Sequence, residues 1–97
     1  MNKNNNIWSF PLHIAFEMVS LYSKSFEEVP YNQNIIFDLT GTKNIHSSFI
    51  GFLINAKQRI KKEGGKLELY ISPELEKLFI KKDLRRFLSY NSIKKSA

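Results

Sequence analysis

Apolar residues in this chain are spaced in two ways, one typical of strands and one typical of helices, and the two kinds of segment alternate. Residues 34–39 form a nearly unbroken apolar run, which predicts a strand covered on both faces. Residues 66–71 alternate between polar and apolar side chains, as in a strand with one buried face. A short apolar and aromatic segment at residues 7–10, followed by Pro11, predicts an edge strand. A small last strand is expected at residues 88–90.

Segments with helical spacing separate these strands. The first helix is expected at about residues 12–25. Its apolar stripe comprises Ile14, Met18, Leu21 and Tyr22, with Phe16 and Val19 alongside. The second helix is expected at residues 47–63. Its apolar stripe comprises Phe49, Phe52, Leu53, Ala56 and Ile60. Ser72 and Pro73 then form a favourable opening for a third helix, which runs to about Ile80.

Strands joined by helices of this length pair in parallel through right-handed crossovers. We therefore expect an α/β fold with a small central mixed or parallel sheet of about four strands flanked by helices. At 97 residues the chain has room for one core and not for a separate catalytic domain. The asparagine-rich start predicts a disordered tail at residues 1–6, and residues 7–97 are expected to form a single domain.

The composition excludes several classes of function. The chain has no cysteine, which excludes a disulfide framework, a thiolate zinc site and a cysteine nucleophile. Neither His13 nor His46 has carboxylates at the spacing of a metal site, and we expect no metal or other cofactor. No phosphate-binding loop or nucleophile motif is present, so enzymatic activity is not expected. The polar start lacks the apolar run of a signal peptide, and no apolar segment approaches the ~20 residues that cross a bilayer, so we expect a cytoplasmic protein without membrane insertion.

The net charge of +6 is unevenly distributed along the chain. Residues 1–56 carry 3 basic and 4 acidic side chains, whereas residues 57–97 carry 12 basic and 5 acidic ones. One interpretation is a basic face for nucleic acid or anionic lipid. The other is a set of solvated helix faces with an acidic protein partner or none. We prefer the second because no aromatic residues interleave with the basic ones as a base-stacking platform requires, so no stable nucleic-acid complex is expected.

Two adjacent serines, Ser47 and Ser48, stand where the loop after the second strand becomes a helix. The first amide hydrogens of a helix have no partners within the helix, so one serine is expected to cap them. The other would then project as a free hydroxyl at the positive end of the helix dipole, where a phosphoryl group is tolerated. Capping without any modification is the alternative, because serine opens many helices.

Four motifs in this half of the chain resemble those of the STAS domain, the fold of bacterial anti-sigma factor antagonists. They are Asp38-Leu39-Thr40-Gly41, His46-Ser47-Ser48-Phe49-Ile50-Gly51, Gly64-Gly65 and Ser72-Pro73-Glu74. Their order and spacing are similar to those of the family over residues 34–90. Residues 7–28 fit one strand and the first helix of that fold, and the strand that usually precedes them is missing or replaced by the asparagine-rich start. The resemblance implies a STAS-like fold.

The resemblance also implies a function. Anti-sigma factor antagonists bind a kinase-type anti-sigma factor, which releases the sigma factor, and phosphorylation of the second serine of the pair ends the interaction. Transferred to this chain, the phosphorylated residue is Ser48, with Ser47 beside it. The partner-binding surface expected from the loop and the second helix comprises Asp38, Thr40, Thr42, Asn44, His46, Phe49, Ile50 and Phe52. The partner is then an anti-sigma factor and serine kinase or another signalling protein, and the oligomeric state stays open.

The chain departs from the family motif at two positions. His46 replaces an aspartate, which removes a negative charge beside the serines, and Phe49 replaces a glycine. Phe49 is expected either to anchor an apolar contact with a partner or to pack in the core. Alternative functions are therefore an unphosphorylated STAS scaffold, an accessory subunit of a transporter, or a basic domain that binds nucleic acid or an anionic surface.

Overall fold

The computed structural model describes residues 6–30 and 32–92, so most of the predicted tail lies outside the described residues. Asn6, its last residue, belongs to the first strand. The elements in chain order are β1 (Asn6–Ser9), β2 (His13–Ile14), α1 (Phe16–Phe26), β3 (Asn34–Leu39), β4 (Asn44–Ile45), α2 (Ser47–Lys62), β5 (Lys66–Ile71), α3 (Pro73–Lys81), a 3-10 turn (Leu84–Arg86) and β6 (Asn91–Ser92). The predicted α/β class is confirmed, with three helices and a parallel sheet in the described residues.

The main sheet has the strand order β1-β3-β5-β6, and every neighbouring pair is parallel. Each connection moves one strand further in the same direction, so right-handed crossovers place α1, α2 and α3 on the same face of the sheet. Burial agrees with this arrangement. On the covered face the side chains of Ile35, Phe37, Leu39, Leu67, Leu69 and Ile71 in β3 and β5 are buried, whereas on the other face Ile36 and Tyr70 are only half-buried and Ile7 is exposed. The prediction that residues 34–39 are covered on both faces is therefore wrong.

The first helix begins later than its apolar spacing predicts. Residues 13–14 form β2 and pair in parallel with β4, so α1 starts only at Phe16. The side chain of Ile14 is buried, as predicted, but Ile14 belongs to the strand β2 and not to the helix. Leu21, which was expected on the buried stripe, is 66% exposed. Val19 and Phe26 are the buried residues of α1, and half-buried Met18 and Tyr22 pack against the core. The backbone pairing of β2 with a distant segment decides where the helix can begin.

The second and third helices agree closely with the sequence. The helix α2 ends one residue before the predicted end, and all five residues of its predicted stripe are buried. Ser72 caps α3, because its Oγ accepts a hydrogen bond of 3.1 Å from the backbone N–H of Leu75. The last strand lies at Asn91–Ser92 instead of residues 88–90, since the 3-10 turn and the residues after it occupy the chain before it.

An aromatic cluster fills the space between the sheet and the first two helices. It consists of Trp8, Phe10, Tyr22, Phe26, Phe37, Phe49 and Phe52. The rings of Phe37 and Phe52 are stacked with centroids 5.9 Å apart, and Phe49 meets Phe10 edge-on at 5.4 Å. Because these rings come from β1 and the residue after it, and from α1, β3 and α2, their packing fixes the start of α2 against the sheet.

Buried hydrogen bonds join the loops at the carboxyl edge of the sheet. Thr42 is fully buried, and its Oγ1 donates to the carbonyl oxygen of Pro11 at 2.8 Å. The carbonyl oxygen of Thr42 accepts a 2.7 Å bond from Ser72 Oγ, the same atom that caps α3. The loops after β1, β3 and β5 are thus tied together, which holds the start of α2 in a fixed position.

We expect Phe49→Ala to lower the free energy of unfolding by about 3–5 kcal/mol, because the ring is fully buried and its removal leaves a cavity. Phe16→Ala is the matched control, since Phe16 is 63% exposed, and it should cost only about 0.5 kcal/mol. Urea unfolding followed by circular dichroism measures both. Similar losses in the two variants would contradict this assignment of the core.

Candidate functional site at the start of the second helix

The two-stranded ribbon of β2 and β4 leads directly into the candidate site. Its register pairs His13 with Asn44 and Ile14 with Ile45. Strand side chains alternate, so the isoleucines face the core while the histidine and the asparagine lie on the exposed side. Asn44 Nδ2 donates to the ring nitrogen Nδ1 of His13 at 2.8 Å. The ribbon thereby presents a polar surface next to the first turn of α2.

His46 caps α2, and neither serine does. Its backbone is extended, with φ −72° and ψ 148°, and its Nδ1 accepts a hydrogen bond of 3.1 Å from the N–H of Ser48. The prediction that a serine caps this helix is wrong, because Ser47 and Ser48 are already the first two helical residues. The motif that this segment resembles has an aspartate at this position, and His46 is likewise a side chain that accepts hydrogen bonds.

The same imidazole nitrogen also holds the hydroxyl of Ser48. The distance from His46 Nδ1 to Ser48 Oγ is 2.8 Å. Since Nδ1 accepts from the backbone N–H, it carries no proton there, so the hydroxyl is the donor and the ring proton lies on Nε2. Ser48 is half-buried and its hydroxyl is held, whereas Ser47 beside it is exposed. The hydroxyl of Ser48, the residue expected to be phosphorylated, is therefore hydrogen-bonded to His46 and not free.

Two apolar residues that the sequence did not assign to this surface lie along the ribbon and the first turn of α1, Phe16 next to His46 and Leu12 at the start of the ribbon. The ring centroid of Phe16 is 5.2 Å from that of His46, and the Phe16 side chain is 63% exposed. Leu12 is 47% exposed, and its carbonyl oxygen accepts hydrogen bonds from the N–H groups of Lys43 and Asn44. Both residues were assigned to the first helix. The local sequence gives no signal for the pairing of β2 with β4, and so it does not reveal that Leu12 and Phe16 are exposed.

The structure divides the residues that the sequence predicted as the partner surface. Thr42, Phe49 and Phe52 are buried, so the prediction that they contact a partner is wrong. Phe49 packs in the aromatic cluster, and its ring does not lie over the serines. Asn44 and His46 are exposed, as expected for surface residues.

The remaining residues predicted for the partner surface are Asp38, Thr40 and Ile50. The carboxylate of Asp38 accepts hydrogen bonds from Thr40, at 3.0 Å from the backbone N–H and 2.7 Å from the hydroxyl, so it holds the start of the loop after β3. Ile50 is half-buried and packs against the core.

We use the name switch surface for five residues at this end of the molecule. They are the exposed residues Leu12, Phe16, His46 and Ser47 and the half-buried residue Ser48.

The described part of the chain contains no group of three or more metal-ligating side chains close enough to hold an ion. None of the helices in residues 6–30 and 32–92 combines the length and apolar character needed to cross a membrane. Comparison with known protein families, with curated protein sequences and with solved structures finds no match to this chain. The site is therefore interpreted from its own geometry and from the motif resemblance.

We expect His46→Ala to lower the free energy of unfolding by about 1 kcal/mol, because the N–H of Ser48 loses its cap. His46→Asn should retain most of the stability, since asparagine is a favourable N-cap. Urea unfolding of both variants measures the difference. His13→Ala serves as the control from the same ribbon, and a loss as large as that of His46→Ala would show that capping is not the cause.

Proposed function

We propose that this chain is a non-enzymatic signalling domain of the STAS type that binds a regulatory protein through the switch surface. The observation that carries the proposal is the hydroxyl of Ser48, held by His46 at the start of α2 beside the exposed ring of Phe16. The order of the family motifs and a parallel sheet with helices between its strands support the same conclusion. The partner is a kinase-type anti-sigma factor of a bacterial partner-switching system in the cytoplasm.

Phosphorylation of Ser48 is the proposed control. The kinase transfers the terminal phosphoryl group of ATP to Ser48 Oγ, ADP leaves, and the hydroxyl proton passes to a base. His46 Nδ1 already accepts a hydrogen bond from this hydroxyl and is positioned to take its proton. The reaction requires a small rotation of the serine side chain, because Oγ is hydrogen-bonded to His46 and must reach the phosphoryl donor.

The phosphorylated chain keeps its fold and loses its partner. The added phosphate carries about −1.5 to −2 charges at pH 7 and lies at the positive end of the α2 dipole, where negative charge is favourable. The imidazole of His46, once protonated, pairs with it. A partner that covers Phe16 and Leu12 would have to remove water from this charge, which opposes binding. The switch is therefore a local change of charge at a preformed surface.

A second candidate function uses the same surface without phosphorylation. The exposed Phe16 and Leu12 give a constitutive apolar contact, as in a STAS scaffold or a transporter accessory subunit. In that case Ser48 is never modified, and its hydrogen bond to His46 only stabilises the first turn of α2.

We expect the chain, incubated with ATP and the kinase-type anti-sigma factor of its own organism, to acquire phosphate on Ser48 and not in Ser48→Ala. Mass spectrometry of proteolytic fragments locates the phosphate. Ser48→Asp should bind the same partner at least ~10-fold more weakly, because the carboxylate places a charge under the covered surface. Ser47→Asp provides the adjacent control.

The apolar contact is tested separately in the same binding assay. Phe16→Ala should weaken the complex roughly tenfold, whereas Leu21→Ala, at an equally exposed residue on the outer side of α1, should leave it unchanged. No phosphate on either serine, together with full binding by Ser48→Asp, would reject the switch and support the constitutive scaffold. Unchanged binding by Phe16→Ala would reject the switch surface itself.

A further inference from the structure

A groove of about 520 Å³ lies at the opposite end of α2 from the switch surface. Its walls come from the last turns of α2, from the start of β5 and from residues 85–89. Between Ser48 and Lys61 the helix rises by about 1.5 Å per residue, which separates the two places by roughly 20 Å. The groove is thus independent of the proposed function.

The groove is strongly basic. Its eleven lining residues include five cations and no carboxylate. The cations are Lys57, Lys61, Lys66, Arg85 and Arg86. The nearest ion pairs are peripheral: Lys66 Nζ lies 3.7 Å from Glu68, and Arg86 Nε lies 3.4 Å from Asp83, both on exposed or half-exposed side chains. Exposed pairs of this kind leave most of the positive potential in place.

Lys57 is a half-buried cation in this groove. Its Nζ donates to the carbonyl oxygens of Leu67 and Ser89, both at 3.2 Å, and so connects two walls of the groove. Burial, the largest effect, lowers the pKa of Lys57, the charge of Glu68 raises it, and the charges of Lys61 and Lys66 lower it less strongly. An anionic ligand in the groove would, like Glu68, favour the charged form of Lys57.

An exposed aromatic ring stands at the same groove. Phe87 follows Arg85 and Arg86 in the chain, lines the groove and is 59% exposed, while Leu88 next to it is buried and anchors the segment. The absence of an aromatic residue among the basic ones was the reason to disfavour nucleic acid from the sequence. That reason does not hold where the fold brings Phe87 to Lys61 and Lys66.

We propose that this groove binds single-stranded nucleic acid, with phosphates at the lysines and arginines and one base against Phe87. A base offers a flat ring to the phenylalanine, and its neighbouring phosphates reach the cations of both walls. In a duplex the bases are stacked on one another and cannot meet the ring. An acidic peptide would match the cations and leave the aromatic face without a specific partner.

The test is fluorescence anisotropy with a short labelled oligouridylate and the full chain, measured over a range of salt concentrations. The affinity should fall as salt rises, and Lys61→Gln or Arg85→Gln should each reduce the slope of log affinity against log salt by ~0.7. Phe87→Ala should weaken binding roughly tenfold and leave the slope unchanged, because stacking releases no counterions. Lys24→Gln and Leu21→Ala, on α1, are the matched charge and apolar controls.

Several outcomes would overturn the proposal. One is no binding at low salt, and another is equal affinity for a duplex of the same length. Loss of affinity that is the same for Lys24→Gln as for Lys61→Gln would indicate a diffuse charge effect in place of a groove. Displacement of the oligouridylate by polyglutamate, with no effect of Phe87→Ala, would assign the groove to an acidic peptide. Circular dichroism of each variant verifies that the fold is intact.

Discussion

The burial of a single face of a parallel sheet beneath three helices governs the rest of this structure. Every crossover advances in one direction, so the helices share one face and the aromatic cluster fills the space below them. The carboxyl ends of the strands then meet at one edge, where Thr42 and Ser72 join their loops by buried hydrogen bonds. Because those bonds and the rings fix α2 at its beginning, the first turn is held in a fixed position relative to the sheet.

The helix α2 carries a different chemistry at each end. At its start, amide hydrogens and the positive end of the dipole favour anions, and His46 supplies the acceptor that the free protein needs. At its end, lysines complement the negative end of the dipole, and the chain after α3 adds two arginines and Phe87. One rigid element thus separates a surface suited to a protein partner from a groove suited to phosphates.

His46 stands where the STAS-like motif would have an aspartate, and it retains the hydrogen bonding. An imidazole nitrogen accepts from the Ser48 N–H and from its hydroxyl, which a carboxylate oxygen could also do. Unlike a carboxylate, the imidazole places no negative charge beside the serines. The motif that this chain resembles has a glycine where Phe49 stands. The ring of Phe49 is buried in the core, so it does not cover the surface beside the serines.

The sequence by itself determined the elements whose signals are local. The runs at β3 and β5, the stripe of α2 and the Ser72-Pro73 opening of α3 fix those elements within a residue or two, because periodicity and capping involve near neighbours. The parallel sheet follows from their alternation. Only the tertiary structure decided where α1 begins, that Phe16 faces water and that Phe87 lines the same groove as lysines of α2. Each depends on contacts between segments distant in the chain, which no local pattern encodes.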